Sequence, residues 1–238
     1  MMTKIKSLLI FQLLCFCSVL FGQSELGSSQ EIWLGAGIDV KLDKSWQTGL
    51  NLENRSDPTL FHNGSWVSDI SLTRRLNKSW NAQIAGRFTT NNKRDKTRYS
   101  LATSFKDKFS LAKFKSKAAF FFENKLNEYS STFFQEANYY TALESECLFP
   151  IWKKKIYIGP TIELRNQWQH RSVQFELLRL GISSSLEFAK HHSIELFSFL
   201  EFENLFFYSP AVVSGVNYQL DLDVAKLKKK KKNIEENN

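Results

Sequence analysis

Apolar and polar residues alternate along most of the chain, and the alternation is clearest in residues 65–89, where two runs flank a turn at residues 77–79. The even positions are mainly apolar and the odd positions mainly polar: Trp66, Ile70, Leu72, Ile84 and Phe88 against Asp69, Arg75, Gln83 and Arg87. Because successive side chains of a β-strand point to opposite faces, this stretch predicts an antiparallel hairpin with one apolar face and one polar face.

The same unit occurs earlier in the chain. Leu-Asp-Lys-Ser-Trp at residues 42–46 matches Leu-Asn-Lys-Ser-Trp at residues 76–80. The alternation continues to residue 224 without a linker and yields eleven candidate strands and no convincing helix: 32–42, 46–55, 65–76, 80–89, 97–106, 115–124, 134–147, 155–167, 174–187, 193–203 and 216–224.

This pattern predicts an all-β fold, an antiparallel up-and-down transmembrane β-barrel of about 10–12 strands. Single-chain bacterial barrels have an even number of strands. We therefore expect ten or twelve strands rather than the eleven that the alternation yields.

Alternation alone does not separate a membrane barrel from a soluble sandwich or a lipocalin-like barrel. The candidate strands are roughly 10–14 residues long, close to the ~9–11 residues that cross a bilayer at a tilt. Their polar faces are also heavily charged, whereas a soluble barrel of this size fills its interior with apolar side chains. Both observations favour a membrane.

Aromatic residues near the strand ends favour a membrane as well. Such amphipathic side chains form the girdles at the two membrane–water interfaces. The residues that we expect at the interfaces are Trp33, Trp46, Trp66, Trp80 and Tyr99. Within the central hairpin, Trp66 and Trp80 begin different strands, so we expect them at opposite rims.

The ends of the chain differ from its body. Lys4 and Lys6 precede an apolar stretch at residues 8–21, which is the pattern of a secretory signal peptide. The predicted organisation is a signal peptide at residues 1–22, a barrel at residues 23–225 and a Lys-rich, low-complexity tail at residues 226–238. Cys15 and Cys17 fall within the signal, so the mature chain keeps only Cys147 and cannot form a disulfide framework.

The formal net charge of +8 lies mostly outside the barrel. Two positive charges belong to the signal and a net four to the tail, which leaves +2 on the body. Nucleic-acid binding requires a basic patch on a folded face, so we expect no nucleic-acid partner.

The polar faces of the strands would line the lumen. Arginines dominate the first half of the chain and glutamates the second. The predicted lumen charges are Arg55, Arg75, Arg87, Arg98, Glu136, Glu144, Glu163, Arg165, Arg179, Glu195 and Glu201. Closing the barrel is expected to bring opposite signs together across a narrow lumen, as either an ion-paired plug or a narrow pore with a transverse field.

Four short motifs follow the predicted signal peptide: Trp33-Leu34-Gly35, Glu53-Asn54-Arg55, Glu163-Leu164-Arg165 and Arg179-Leu180-Gly181. They resemble those of a family of Gram-negative outer-membrane barrels, catalogued as a domain of unknown function (number twenty-four-ninety). The resemblance covers nearly the whole mature chain and implies an outer-membrane barrel, with no catalytic residues to transfer. The Lys-rich end departs from the usual terminal aromatic strand.

The histidines do not indicate catalysis. His62 and His170 lie in predicted loops, and His191 and His192 lie in a predicted turn. A membrane-embedded hydrolase needs a Ser and a His on neighbouring strands. We therefore expect no enzyme, no cofactor and no metal site.

The expected function is an outer-membrane barrel that is structural or forms a narrow pore, with outer-membrane lipid and the barrel-assembly machinery as partners. The alternatives are a membrane-embedded lipid-modifying enzyme, such as a lipid hydrolase, and a soluble periplasmic β-barrel that binds a ligand.

Overall fold

The computed structural model describes residues 30–56, 64–90, 95–109, 112–126, 137–152, 155–169, 172–203 and 210–224. The predicted signal peptide and the Lys-rich tail lie outside the described residues.

The described residues form eleven strands, one for each candidate strand of the sequence. They are β1 (Gln30–Lys41), β2 (Trp46–Ser56), β3 (Ser65–Arg75), β4 (Trp80–Thr90), β5 (Asp95–Lys108), β6 (Lys113–Leu126), β7 (Ala137–Trp152), β8 (Ile156–Gln169), β9 (Ser172–Ala189), β10 (His192–Glu203) and β11 (Ala211–Asp223). Each strand pairs with its neighbours in sequence, and the sheet closes into a barrel. The predicted up-and-down β-barrel is confirmed.

The expectation of an even number of strands was wrong. In an up-and-down sheet of eleven strands, the first and last strands run in the same direction, so the barrel closes only if they pair in parallel. β1 and β11 do so without a break, from Gln30 opposite Val212 to Lys41 opposite Asp223. The ten other pairings are antiparallel.

The two ends of the barrel differ in their connections. Five connections of two to four residues follow β1, β3, β5, β7 and β9, and we call this end the short-turn rim. Five connections of two to ten residues follow β2, β4, β6, β8 and β10, and we call this end the loop rim. Because the strand count is odd, β1 starts at the loop rim and β11 ends at the short-turn rim.

The repeated motif forms two matching turns at the short-turn rim. The Asp43 carboxylate accepts hydrogen bonds from the backbone N–H groups of Ser45 and Trp46, at 2.6 and 2.7 Å. The Asn77 amide oxygen accepts the equivalent bonds from Ser79 and Trp80, at 2.9 and 2.8 Å. Asx side chains stabilise turns in this way. The hydrogen bonds from Ser45 and Trp46 lower the pKa of Asp43 below its ordinary value.

The outer surface of the barrel is mainly apolar. Ile70, Ile84 and Leu101 occupy adjacent strands and are each about 60% exposed, at 62%, 61% and 60%. Large apolar side chains on other strands are exposed in the same way, including Leu50, Leu143, Ile182 and Leu196. A continuous apolar surface of this kind marks contact with a membrane or another protein.

No helix in the described part of the chain is long and apolar enough to cross a membrane.

Candidate functional site

The inward positions of β2–β10 gather charged side chains into the lumen. Five arginines, Arg55, Arg87, Arg98, Arg165 and Arg179, lie in the half of the barrel toward the loop rim, and we call them the arginine layer. Alternation places them inside, because each shares its strand face with other polar residues. Charges in such an interior need ionic partners to offset desolvation.

On β3 and β4 the partner is a single carboxylate. Arg87 donates to both oxygens of Asp69, from Nε at 2.6 Å and from Nη2 at 2.8 Å. The two residues are directly opposite each other in the strand register. A bidentate pair of this geometry is among the stronger charge-assisted hydrogen bonds.

On β8, β9 and β10 the arginine layer forms a connected network. Arg179 donates to Glu163 and to Glu201, each at 2.6 Å, so it bridges the strands on both sides of its own. Arg165 donates to the other oxygen of Glu163 at 2.9 Å. Its Nε lies 3.7 Å from Glu176.

The two remaining arginines are also paired along the wall. Arg98 donates to Glu123 on the neighbouring β6 at 2.6 and 3.2 Å. Arg55 donates to Glu53, two residues away on its own strand, at 2.5 Å.

The pairing in the arginine layer differs from the expected one. Opposite charges were expected to meet across the lumen, but each arginine is held by a carboxylate on its own or an adjacent strand. Nearest neighbours on a pleated face are closer than residues across a barrel, so they pair first. The predicted lumen charges lacked Glu53 and Glu123, whereas the alternation had placed Asp69 on the polar, lumen-facing side of its strand. When residues are counted outward from the turns after β3 and β5, Asp69 falls opposite Arg87 and Glu123 falls opposite Arg98.

Trp33 lies in the lumen and not at a membrane interface, contrary to the prediction. Its side chain is only 6% exposed. The guanidinium carbon of Arg55 lies 3.8 Å from the ring centroid and that of Arg179 lies 5.1 Å from it. The indole N–H donates to Glu31 at 2.8 Å. Trp33 shares its parity with Gly35, Gly37 and Asp39, so the strand period assigns it to the inner face despite its position near a strand end.

Phenylalanines of β10 complete the surroundings of Trp33. Phe197 and Phe199 pack edge-on against the indole, with centroids 6.0 and 5.4 Å away. Phe197 lies over Gly215 of β11, where a Cβ would approach the ring to 2.3 Å, so the glycine makes room for it. The aromatic cluster fills the lumen beside the arginine layer.

The other predicted interface aromatics point outward. Trp66 and Tyr99 lie toward the loop rim, and Trp46 and Trp80 lie at the short-turn rim. Trp66, Tyr99 and Trp80 are 51%, 56% and 46% exposed, while Trp46 is half-buried. Trp66 and Trp80 occupy opposite ends of their hairpin, as the sequence indicates.

The half of the lumen toward the short-turn rim has a different composition. Four lysines of β5 and β6 lie on its inner face: Lys106, Lys113, Lys115 and Lys117. Lys115 donates to Glu146 on the adjacent β7 at 2.7 Å. Lys113 extends to Glu187 of β9 at 2.9 Å, and its ammonium lies 3.4 Å from the centroid of the Tyr157 ring. The Lys113–Glu187 pair skips two strands, and neither residue was among the predicted lumen charges.

The remaining predicted lumen charges fall in different places. Glu144 lies opposite Lys117 in the strand register and lines the central cavity, and Glu195 lies on the inner face of β10. Arg75 lies at the short-turn rim, where its Nε donates to the Asn77 carbonyl at 3.0 Å, so it does not contribute to the arginine layer. Glu136 lies outside the described residues.

Between the two halves lies a cavity of about 350 Å³. Arg87, Arg179 and Glu163 line it on the loop-rim side, and Lys117 and Glu144 line it on the other. A second cavity, of about 250 Å³, opens beside Arg165, Glu176 and Gln167. Both cavities are small and have a mainly polar lining, so they have room for water or a small polar solute.

One histidine differs from its predicted place. His192 is the first residue of β10 rather than part of a turn, and its Nδ1 lies 2.6 Å from the Tyr218 hydroxyl. His62 and His170 lie outside the described residues. Among the residues that the structure describes, no cluster of three or more His, Cys, Asp or Glu side chains could hold a metal ion.

Comparison with known proteins adds little to this geometry. No family model matches the chain, and no curated protein matches it; the resemblance to the family of unknown function therefore stays a prediction. Among solved structures, the chain is similar to a bacterial polysaccharide outer membrane secretin, with a TM-score of 0.46 and 11% identity over 68% of this chain. The chain matches only 60% of the length of that protein. At that TM-score the similarity supports no further argument.

Proposed function

We propose that the protein is a β-barrel of the bacterial outer membrane whose lumen is held closed by ion pairs, and that its role is structural rather than enzymatic. The apolar outer surface supports the membrane assignment, since such a surface is stable against lipid. The outer and inner faces have the polarity that a bilayer outside and water inside require.

One observation supports the proposal that the lumen is closed. Every member of the arginine layer is paired with a carboxylate on the barrel wall, within 2.9 Å, and two arginines cover Trp33. Paired charges of this kind are costly to separate, because either partner left alone is an uncompensated charge in a narrow interior. The proposed plug consists of these wall-bound pairs together with the lumen-filling cluster of Trp33, Phe197 and Phe199.

Current through the reconstituted barrel tests the closed lumen. In planar bilayers we expect the wild-type protein to pass no current above that of a protein-free bilayer. The double variant Arg87→Ser/Asp69→Ser keeps the net charge, shortens both side chains, and is expected to conduct. As a matched control, Lys108→Ser/Asp107→Ser also removes one cation and one carboxylate, but at the exposed short-turn rim. This variant should pass no current.

A narrow pore is the second candidate, favoured by the cavity of about 350 Å³ and by the lysines that β5 and β6 place on one side of the lumen. Stable current steps from the wild-type protein would establish the pore and contradict the closed plug.

A further inference from the structure

The outer wall contains a shallow groove across β4, β5 and β6. Its floor is a row of small residues that are direct register partners, Ala82, Thr103 and Ala118. On its loop-rim side stands a row of large side chains, Ile84, Leu101 and Phe120. Toward the short-turn rim, the Trp80 and Phe105 rings pack together with centroids 5.2 Å apart.

The groove has a volume of about 670 Å³ and is lined almost entirely by apolar atoms. On the inner face of the wall the residues behind it are also small, since Ala102, Ala119 and Ala142 contribute to its lining. The outer face is therefore recessed here, in contrast to the large side chains that flank it.

One cation stands at the β3 end of this groove. Arg74 is exposed on the outer face, directly opposite Ala82 in the register, and it is the one charged residue in the lining. Its guanidinium carbon lies 5.5 Å from the centroid of the Trp46 ring. No carboxylate of the described residues lies within 4.0 Å of it as a salt-bridge partner.

Further cations lie at the same rim as Arg74. Lys44, Arg75 and Lys78 are exposed in and beside the two matching turns. These three cations outnumber the one acid of the two turns, Asp43. The rim over β2, β3 and β4 is therefore positively charged next to an apolar groove.

We propose that this groove binds an anionic phospholipid, with the phosphate on Arg74 and an acyl chain over Ala82, Thr103 and Ala118. A phospholipid carries both parts that the surface complements, a phosphate for the guanidinium and a chain for the recess. A second copy that docked through the same groove would bring another Arg74 rather than a counter-charge, because Arg74 is the one charged residue in the lining. The inference rests on the proposed membrane location and is independent of whether the lumen conducts.

Lipid retention by the full-length folded barrel tests the site. The protein is equilibrated in mixed micelles with equal amounts of phosphatidylglycerol and phosphatidylcholine of the same acyl chains, and bound lipid is counted by native mass spectrometry. We expect phosphatidylglycerol to be retained preferentially, and Arg74→Gln to reduce that preference about fivefold, the usual effect of one basic residue at a membrane surface. Ala118→Leu fills the recess and should reduce retention of both lipids.

Matched controls separate the site from general effects. Lys190→Gln removes a cation at the same rim beyond β9, and Ser184→Leu enlarges a small outward residue on β9. Both should leave retention unchanged. A heat-modifiable gel shift shows that each variant forms the barrel, and its absence from the wild-type protein would count against the barrel itself. Equal retention of the two lipids by a folded barrel, or no effect of Arg74→Gln, would overturn the lipid site alone.

Discussion

At the scale of single residues, strand parity governs which charges and aromatics meet. Arg179 bridges Glu163 and Glu201 because all three share the inner face of adjacent strands. The same parity was available for Trp33, whose odd position assigns it to the lumen. The sequence prediction instead weighed its place near a strand end, which is also where interfacial aromatics occur.

Removing Arg179 should destabilise the barrel strongly. Arg179→Ala leaves Glu163 with one cation and Glu201 with none of its described ion-pair partners, and the side chains of both glutamates are less than one-fifth exposed. Loss of one partner of a buried pair costs about 3–5 kcal/mol of the free energy of unfolding. The urea midpoint of the folded barrel in detergent measures this.

Arg75→Ala is the matched control, since Arg75 is exposed at the rim. Its effect should stay within about 0.5 kcal/mol, as for ordinary surface substitutions. Equal midpoints for the two variants would show that the arginine layer does not stabilise the barrel.

At the scale of elements, the two matching turns set the register of their hairpins. The register then places Asp69 opposite Arg87, so this ion pair could be derived from the sequence alone. The Lys113–Glu187 pair could not, because it joins β6 to β9 and depends on the curvature of the closed sheet. Local pairs follow from turns, whereas contacts across several strands require the whole barrel.

The Asp43 turn should weaken in acid, and the Asn77 turn should not. The pKa of Asp43 is lowered in the folded state, so its contribution is present above the ordinary pKa and is lost as the pH falls through the lowered value. Hydrogen-exchange protection of the Trp46 amide, corrected for the intrinsic rate, should fall over that pH range.

Asp43→Asn copies the Asn77 turn and should remove this pH dependence while keeping the protection. Asp43→Ala should lose the protection at all pH values. An unchanged acid response in Asp43→Asn would show that another group controls the turn.

The apolar face of the central hairpin should not tolerate a charge. Ile84→Arg places a cation on the outer surface near the middle of β4, at a cost of about 2–4 kcal/mol if that surface faces the bilayer midplane. Gln83→Arg, one residue away, points into the lumen and serves as the control. We expect the heat-modifiable form to be lost only in Ile84→Arg. Normal assembly of that variant would contradict the assignment of the Ile84 face to the lipid side.

At the scale of the whole molecule, the parallel pairing of β1 with β11 was the feature that the sequence did not supply. Each strand was recognisable from its own alternation, and the count of eleven was correct before the even-number rule was applied. The partner of β1 is β11, the strand farthest from it in sequence, and no local sequence pattern indicates that pairing. The odd count places the start of β1 and the end of β11 at opposite rims.

The short-turn rim should face the periplasm, because short turns of outer-membrane barrels usually do. In a Cys147→Ala background, Lys190→Cys lies at the short-turn rim and Ser172→Cys lies at the loop rim. A membrane-impermeant maleimide added to intact cells should label Ser172→Cys and spare Lys190→Cys, with the Cys147→Ala parent as the blank. Labelling of Lys190→Cys but not of Ser172→Cys would instead place the short-turn rim on the outside of the cell.

Fractionation of cells that express the full chain tests the membrane barrel most directly. A barrel with this apolar outer surface should remain in the carbonate-insoluble outer-membrane fraction and should change its mobility in a gel when heated. Recovery in the carbonate-soluble fraction, with no change on heating, would instead identify a soluble β-protein and contradict the membrane assignment.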